Sequence, residues 1–489
     1  MHDRCGGHCR LGHRGAPRCP GGHLKAGVAA QRLPNGKGSV SAGIPIARLA
    51  APILAENLVR TSLIAIDQLM LYAFSTDAAA AMSAASQLAF FLQLLYQMPS
   101  QGAGILVAQR LGAGKREEAE SYAWAGIVMV LTFSVIVSMS YISFSGAALG
   151  FFSLAPGVRA GAVSFLSIYG GASSFMALNI AGAVILRSWG HTRDVMVANI
   201  CALCCTIAGN YLALFGPFGL PVLGLAGVAA SNVAGQMVAS LILVRAFRRR
   251  GIRLGGSRSA PRLPRNVIRG ILAIGVPTAG ENISYNLSQV VIAAIISGMG
   301  TAALAAYGLV IALSRYVFTF GISVGMAAQI RVGWLVGAGH HEDASRSLPK
   351  WLGLALAISA ALAVILNVVK LPLIALFTHD TVIGGMAASV LLVAVVYEPG
   401  RCLNTVIIPS LKGAGDVRFP VAVGLVFMWG ISVSGAWLLG RVLGLGLLGV
   451  WIAMCTDECL RGLVMLGRWQ SGRWKPAAGN PGPRPRASP

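Results

Sequence analysis

Charged residues are scarce in this chain. Asp, Glu, Lys and Arg together make up 11% of its 489 residues, and only 16 residues are acidic. Hydrophobic residues make up 55%, and the mean hydropathy is +0.70. Because a soluble domain carries about 25% charged residues, this composition excludes an ordinary soluble protein.

Motifs of catalysis are also missing from the sequence. It contains no HExxH motif, and each histidine lies in the N-terminal leader or near a predicted loop. An enzyme inside the membrane would need a set of reactive groups at depth, and nothing resembles the charged ring or filter of a channel. We therefore expect neither an enzyme nor a passive channel, and no cofactor.

Cysteines are few, and their number, nine, is odd. Six fall in apolar segments, where a thiol usually packs as a small hydrophobe: Cys201, Cys204, Cys205, Cys402, Cys455 and Cys459. Three lie in the leader with two histidines, a composition that could ligate zinc: Cys5, Cys9, Cys19, His8 and His13. A disordered basic tail over residues 1–43, or an overextended start, is the favoured interpretation.

The chain contains several long runs without charged residues. Four of them contain no Asp, Glu, Lys or Arg: Trp124 to Phe144, Val195 to Gly216, Trp351 to Val369 and Phe419 to Gly440. A helix of about 20 such residues crosses the roughly 30 Å of hydrocarbon in a bilayer. A series of these runs predicts an all-α integral membrane protein of twelve transmembrane helices, with the lipid bilayer as its surroundings.

The net charge of +23 follows the loops. Basic residues collect before the first apolar segment, after every second one and after the last, whereas the opposite loops hold only Arg159, Lys370 and Arg441. This asymmetry is the positive-inside rule. It predicts a multi-pass protein of the plasma (inner) membrane with both termini and the linker from Arg245 to Arg269 in the cytoplasm, and it argues against a nucleic-acid partner.

An internal repeat organises the chain. Three motifs recur at one constant offset along the sequence, which we call the repeat offset. The pairs are PILAEN from Pro52 and PTAGEN from Pro277, GAGKREEA from Gly112 and GAGHHEDA from Gly337, and LRSWGHTR from Leu186 and LKGAGDVR from Leu411. Two halves of six segments each enter the membrane in the same direction, as parallel repeats.

The repeat predicts two pseudo-symmetric six-helix bundles around a central cleft. The N-terminal lobe is expected at 44–247, a basic cytoplasmic linker at 248–266 and the C-terminal lobe at 267–469. Residues 470–489 are expected to form a disordered tail. A cleft between two bundles is the geometry that alternating access requires, and we expect the chain to act as a monomer on a small organic molecule.

Carboxylates at membrane depth are the candidate coupling residues, because an ionised group there costs about 2.5–3.5 kcal/mol on insertion scales. The candidates for cation coupling are Glu56, Asp67, Glu281 and Glu398, and Asp457 and Glu458 lie deep in the last helix. Local ion pairs are the alternative for Glu56, with Arg60, and for Glu398, with Arg401. Asp67 and Glu281 have no basic residue at those spacings, so we expect them to be unpaired and able to exchange a proton or bind a sodium ion.

Uncharged polar residues in the apolar segments are candidates for lining a substrate cavity. They are Asn199, Asn210, Asn282, Asn286, Gln289, Tyr307 and Asn404. The alternative for each is a hydrogen bond between helices.

Together these motifs resemble the multidrug and toxic compound extrusion (MATE) transporters over residues 44–469. The resemblance rests on the spacing from Pro52 to Asp67, the GAG loops, LRSWGHTR with LKGAGDVR, and NYLALFG followed by GLAGVAAS. It implies an antiporter that exports organic, often cationic compounds in exchange for protons or sodium ions.

Residue by residue, the resemblance gives Asp67 the role of the N-terminal coupling carboxylate. Glu281 lies on the helix that carries an acidic residue in many members, and Asn210 stands where some proton-coupled members have Asp. Arg401 fills the place of a carboxylate in sodium-coupled members, one turn from Glu398. These departures favour protons through Asp67 over a sodium site.

A flippase for a lipid-linked saccharide or another amphiphile of the same superfamily is the alternative. Such proteins often line the cleft with basic residues, whereas we expect the lobe interiors here to be acidic to neutral.

Overall fold

The computed structural model describes residues 44–151, 156–219, 221–254 and 264–475. The predicted tail at 1–43, with the cysteines and histidines of the conceivable zinc site, lies outside the described residues. Long helices form because the apolar runs satisfy their backbone hydrogen bonds internally, as hydrocarbon requires.

The first half contains seven helices, which we call the N-lobe. They are α1 Ile46–Phe74, α2 Thr76–Gly112, α3 Arg116–Ala148, α4 Pro156–Gly171, α5 Ser173–Ser188, α6 Thr192–Phe215 and α7 Gly224–Arg249. The second half, the C-lobe, contains eight. They are α8 Arg265–Ser297, α9 Thr301–Gly337, α10 His341–Val368, α11 Lys370–Phe377, α12 Thr381–Ala414, α13 Arg418–Phe427, α14 Ser434–Trp437 and α15 Gly446–Gln470.

These helices make twelve membrane crossings within the described part of the chain. Nine spans are long and apolar enough to cross a bilayer, and α4 with α5, which meet at a 52° bend, is a tenth. One of the nine runs from Arg418 to Val442 and joins α13 and α14 through π-helical turns. The remaining two crossings are α8 and α15, with 33 and 25 residues, whose polar side chains lower their hydropathy. The predicted fold of twelve transmembrane helices in two pseudo-symmetric bundles is confirmed.

Five helices end in the same way on one face of the molecule. After α2, α5, α7, α9 and α12 the chain turns at a glycine with positive φ: Gly114, Gly190, Gly251, Gly339 and Gly415. The backbone N–H of the residue after each glycine donates to a carbonyl in the last turn of the helix, as that of His191 does to Leu186. This is the Schellman ending that glycine favours, and it explains why a glycine recurs in the GAG motifs and at matching positions of LRSWGHTR and LKGAGDVR. We call this face the basic end.

At the basic end the two lobes share their hydrophobic core. One buried cluster joins Leu49 and Val107 of the N-lobe to Ala327 and Trp334 of α9. A second cluster joins α2 and α3 to Val267 and Ile271 of α8. Burying these side chains together removes apolar surface from water or lipid headgroups on both lobes and holds them in contact.

At the opposite end each lobe has a core of its own. In the described chain, one buried cluster there contains only N-lobe residues, from Leu71 to Ala229. Another contains only C-lobe residues, from Ile292 to Met454. The lobes are therefore joined at the basic end and packed separately at the other.

Candidate functional site

Two buried ion pairs occupy matching positions in the two lobes. Arg187 on α5 lies 2.5 Å from Glu56 on α1, and Lys412 on α12 lies 2.6 Å from Glu281 on α8. The acidic members are related to each other by the repeat offset, and so are the basic members. The first motif of each half thus pairs with the third motif of the same half.

These pairs correct two expectations. Glu281 is not unpaired, because its partner Lys412 comes from a different helix, far along the chain. Glu56 pairs with Arg187 rather than with its neighbour Arg60, whose side chain donates to Asn57 instead. A contact between α1 and α5 or between α8 and α12 depends on helix packing, which local spacing does not report.

Both carboxylates are deeply buried, with Glu56 2% and Glu281 8% exposed. A buried charge needs a partner and hydrogen bonds to offset its lost hydration. Glu56 meets this need with Arg187 and with Asn199, which donates at 2.7 Å. Asn199, a predicted cavity residue, therefore serves this ion pair.

Asp67 lies on α1 nearer the opposite end and is only partly buried. Asn210 on α6 donates to it at 3.2 Å. Within the described part of the chain Asp67 forms no salt bridge. The structure thus brings together two of the residues that the sequence singled out in this lobe, and it places no basic side chain from the described residues in a salt bridge with the carboxylate.

A denser charge network fills the C-lobe between α12 and α15. Arg461 lies 2.9 Å from Glu458 and 3.3 Å from Asp457 on its own helix. Asn404, on α12, donates to the carboxylate of Glu458 at 2.7 Å. All four side chains are buried, so the network connects two helices through charge-assisted hydrogen bonds.

Arg401 and Glu398 form the predicted local pair, with N and O atoms 3.5 Å apart. The Arg401 guanidinium also lies over the ring of Phe318, 3.6 Å from its centroid. With Lys412 and Arg461, it makes three basic side chains inside the C-lobe. Each of these cations has a carboxylate partner, and four carboxylates accompany the three cations, so the interior of this lobe stays acidic to neutral as expected.

The remaining predicted cavity residues make local contacts. Tyr307 donates to Gln289 at 3.4 Å between α9 and α8. Asn286 donates to the backbone carbonyl of Asn282 one turn earlier. Neither contact joins the ion pairs.

A small, partly open cavity of about 30 Å³ lies between the lobes near the basic end. Its polar lining residues are Gln101, Arg187, Ser188 and Gln329. A water needs roughly 10–15 Å³ of such space, so the cavity has room for a water or two beside Arg187. Among the described residues, no group of three or more His, Cys, Asp or Glu side chains is placed to hold a metal ion.

The sequence did not identify Arg187 and Lys412 as site residues, although it contained the signal. Both stand in the third repeated motif, which served only to fix the register. Glu56 recurs as Glu281 and Arg187 recurs as Lys412 at the repeat offset. Ionisable residues within membrane segments tend to pair with one another, so opposite charges kept in both halves are candidates for contact.

Comparisons with known proteins agree with the fold and its two repeated halves. The MatE family model matches residues 52–212 and 277–438, one match in each lobe. The uncharacterized transporter YisQ of Bacillus subtilis is 33% identical over 83% of this chain and 90% of its own length. The probable multidrug resistance protein NorM of Thermotoga maritima is 25% identical over 88% of this chain and 93% of its own length.

A solved structure supports the fold independently. The outward-facing conformation of a multidrug resistance MATE family transporter superposes with a TM-score of 0.80 at 18% identity, covering 88% of this chain and 96% of that one. Fold and site define a membrane transporter of two repeated bundles. The chain belongs to the MatE family of multidrug and toxic compound extrusion transporters.

Proposed function

We propose that this transporter is a secondary active antiporter that exports organic, often cationic or amphipathic compounds in exchange for protons. Its similarity to multidrug resistance proteins supports the substrate class. The basic end faces the cytoplasm of the plasma (inner) membrane in this proposal, because the basic loops collect there. The described conformation is then closed to the cytoplasm.

The single observation that carries proton coupling is the setting of Asp67. A carboxylate at membrane depth that has an amide partner but no cation can gain and lose a proton as its access to water changes. Glu56, Glu281, Glu398 and Glu458 each lie beside a basic side chain of the protein itself. An internal cation stabilises the ionised carboxylate and repels a sodium ion, so we favour protons at Asp67 over sodium at Glu281.

The experiment is drug efflux from vesicles or proteoliposomes under an imposed proton or sodium gradient. We expect the proton gradient to drive efflux in the wild type and the sodium gradient to leave it unchanged. Asp67→Asn should lower proton-driven efflux by at least about tenfold, which corresponds to about 1.4 kcal/mol of lost coupling. Asp77→Asn is the matched control, since Asp77 is an acidic residue in the first turn of α2.

Unchanged efflux in Asp67→Asn would remove Asp67 from the proposal. Efflux driven by sodium alone would move the coupling to the C-lobe carboxylates, with Glu281→Gln as the variant that should abolish it. If neither gradient drives efflux, the antiporter proposal itself is wrong.

The basic residues of the C-lobe favour a second candidate, a flippase or exporter of an anionic amphiphile such as a lipid-linked saccharide. Arg401, Lys412 and Arg461 would supply the positive charge. Four carboxylates accompany these three cations, however, so the interior keeps no positive excess. Reconstituted vesicles with a fluorescent anionic lipid would support this candidate if the probe changed leaflets only with the protein present.

A further inference from the structure

Two hydrogen bonds between the lobes are related by the internal repeat. The side-chain amide of Gln109, on α2, donates to the backbone carbonyl of Gly413 at 2.9 Å. The indole N–H of Trp334, on α9, donates to the carbonyl of Ser188, also at 2.9 Å. The repeat offset relates Gln109 to Trp334, and it relates Ser188 to Gly413. Through these two bonds each lobe sends one donor to the other lobe at the basic end. Asn57 on α1 also donates to the hydroxyl of Ser323 on α9, at 3.1 Å.

The two acceptors directly follow the basic members of the matched ion pairs. Ser188 follows Arg187 at the end of α5, and Gly413 follows Lys412 in the last turn of α12. Carbonyls in the last turn of a helix have no partner within it. The donor from the other lobe supplies that partner, and the adjacent ion pair fixes the helix end that carries the acceptor.

Close backbone contact surrounds both bonds. A Cβ added to Gly112 would lie 2.0 Å from the carbonyl oxygen of Trp334, and one added to Gly337 would lie 1.9 Å from that of Gln109. These glycines also form a pair at the repeat offset. The donor residues are therefore held where α2 and α9 cross, and a small separation of the lobes would break both bonds together.

We propose that Gln109 and Trp334 are gating residues, whose matched interlobe hydrogen bonds hold the basic end closed. The ion pairs of Glu56 with Arg187 and of Glu281 with Lys412 position the two carbonyl acceptors. This inference rests on the proposed alternating access and assigns the closed state to specific atoms. Breaking either bond leaves a buried donor or acceptor unsatisfied only in the closed state, so the equilibrium shifts toward opening at the basic end.

Hydrogen–deuterium exchange of the full-length protein in lipid nanodiscs tests the proposal. Trp334→Phe removes the indole donor and keeps an aromatic ring, and Gln109→Met removes the amide and keeps the side-chain length. We expect exchange at the basic end, in peptides covering 104–112 and 328–337, to rise by about fivefold to tenfold. The peptide covering 267–276 of α8 should rise as well, because it packs against α2 without containing a substituted residue.

Peptides at the opposite end, covering 78–85 and 303–310, should exchange as in the wild type. Trp451→Phe is the matched control, because Trp451 is 1% exposed, as buried as Trp334, and its indole N–H has no hydrogen-bond partner among the described residues. It should leave exchange at the basic end unchanged. Gln109→Met carries the test if Trp334→Phe does not fold.

Three results would overturn the proposal: unchanged exchange at the basic end, an equal increase at both ends, or a response to one substitution and not the other. An equal increase at both ends would show that the residues stabilise the fold without gating it. Gradient-driven efflux by the wild type is measured separately. If the wild type shows no gradient-driven efflux, the proposed antiport is wrong. An increase in exchange confined to the basic end would still show that Gln109 and Trp334 hold that end closed.

Discussion

Each lobe contains an equivalent buried ion pair, and the two lobes differ in their other buried charged residues. The N-lobe pairs Glu56 with Arg187 and keeps Asp67 beside an amide. The C-lobe pairs Glu281 with Lys412 and adds a network around Arg461 and another pair at Arg401. The shared pair stands next to the carbonyls that bind the opposite lobe, whereas the unshared groups lie elsewhere. The ion pair that occurs in both lobes therefore lies at the contact between the lobes. Asp67 and the network around Arg461 each occur in one lobe only.

Removing Arg461 is expected to have the largest effect on stability. Arg461→Leu would leave Asp457 and Glu458 buried without their cation, and breaking a buried ion pair costs about 3–5 kcal/mol. We expect a large fall in the unfolding midpoint, measured by tryptophan fluorescence in detergent. Arg441→Leu is the control, because Arg441 is exposed. A midpoint like that of the wild type would show that the C-lobe network contributes little.

Breaking the matched pairs tests whether the lobes depend on them equally. Arg187→Met and Lys412→Met each leave a buried carboxylate unpaired, and we expect each to lose about 3 kcal/mol of stability. Adding Glu56→Gln to the first and Glu281→Gln to the second should recover most of that loss, since no charge is then left alone. A loss in one lobe and none in the other would contradict an equal role for the two pairs.

Replacing the two glycines at the contact between the lobes should have a smaller effect, and one of similar size at both positions. Gly112→Ala and Gly337→Ala place a methyl group against the backbone of the other lobe. Overpacking of this kind costs about 1–3 kcal/mol, and we expect efflux to fall because the closed state is disfavoured. Gly353→Ala, with open space around the added methyl, is the control. Normal efflux in both variants would show that transport does not depend on this close contact between the lobes.

The smallest effect is expected at His191, in the loop between α5 and α6, which the repeat matches with Asp416. Burial, followed by the positive charge of Arg250, lowers the pKa of His191 below its ordinary value of about 6.5. The folded protein therefore resists protonation there, so its stability is complete above that ordinary value and falls as the pH drops toward the lowered pKa.

In His191→Gln the fall in unfolding midpoint between pH 8 and pH 5 should be slightly smaller than in the wild type. His379→Gln, at an exposed histidine in the opposite end, is the control. An identical pH dependence in His191→Gln and the wild type would contradict the effect of burial at this loop.

Much of the fold could be predicted because its signals are local. A run such as Trp124 to Phe144 predicts a crossing from its own hydropathy, and Gly190 or Gly415 ends a helix through its own φ angle. The bend between α4 and α5 was not predicted, although the glycine pair Gly170 and Gly171 marks it in the chain.

The site was predicted less completely than the fold. Glu398 and Arg401 came together as the sequence suggested, because they lie within one helical turn. Asp67 and Asn210 were each matched to a family position, but their contact was shown only by the structure. Glu281 with Lys412 was missed, since partners so distant in the chain meet only through the packing of α8 against α12.

The sequence by itself determined that this protein crosses the membrane twelve times in two parallel halves, because hydrocarbon requires long apolar helices and a repeat records its own register. Only the tertiary structure decided which charges meet and where the lobes touch. Those contacts join residues on different helices, and their distances depend on how the helices pack rather than on their spacing along the chain.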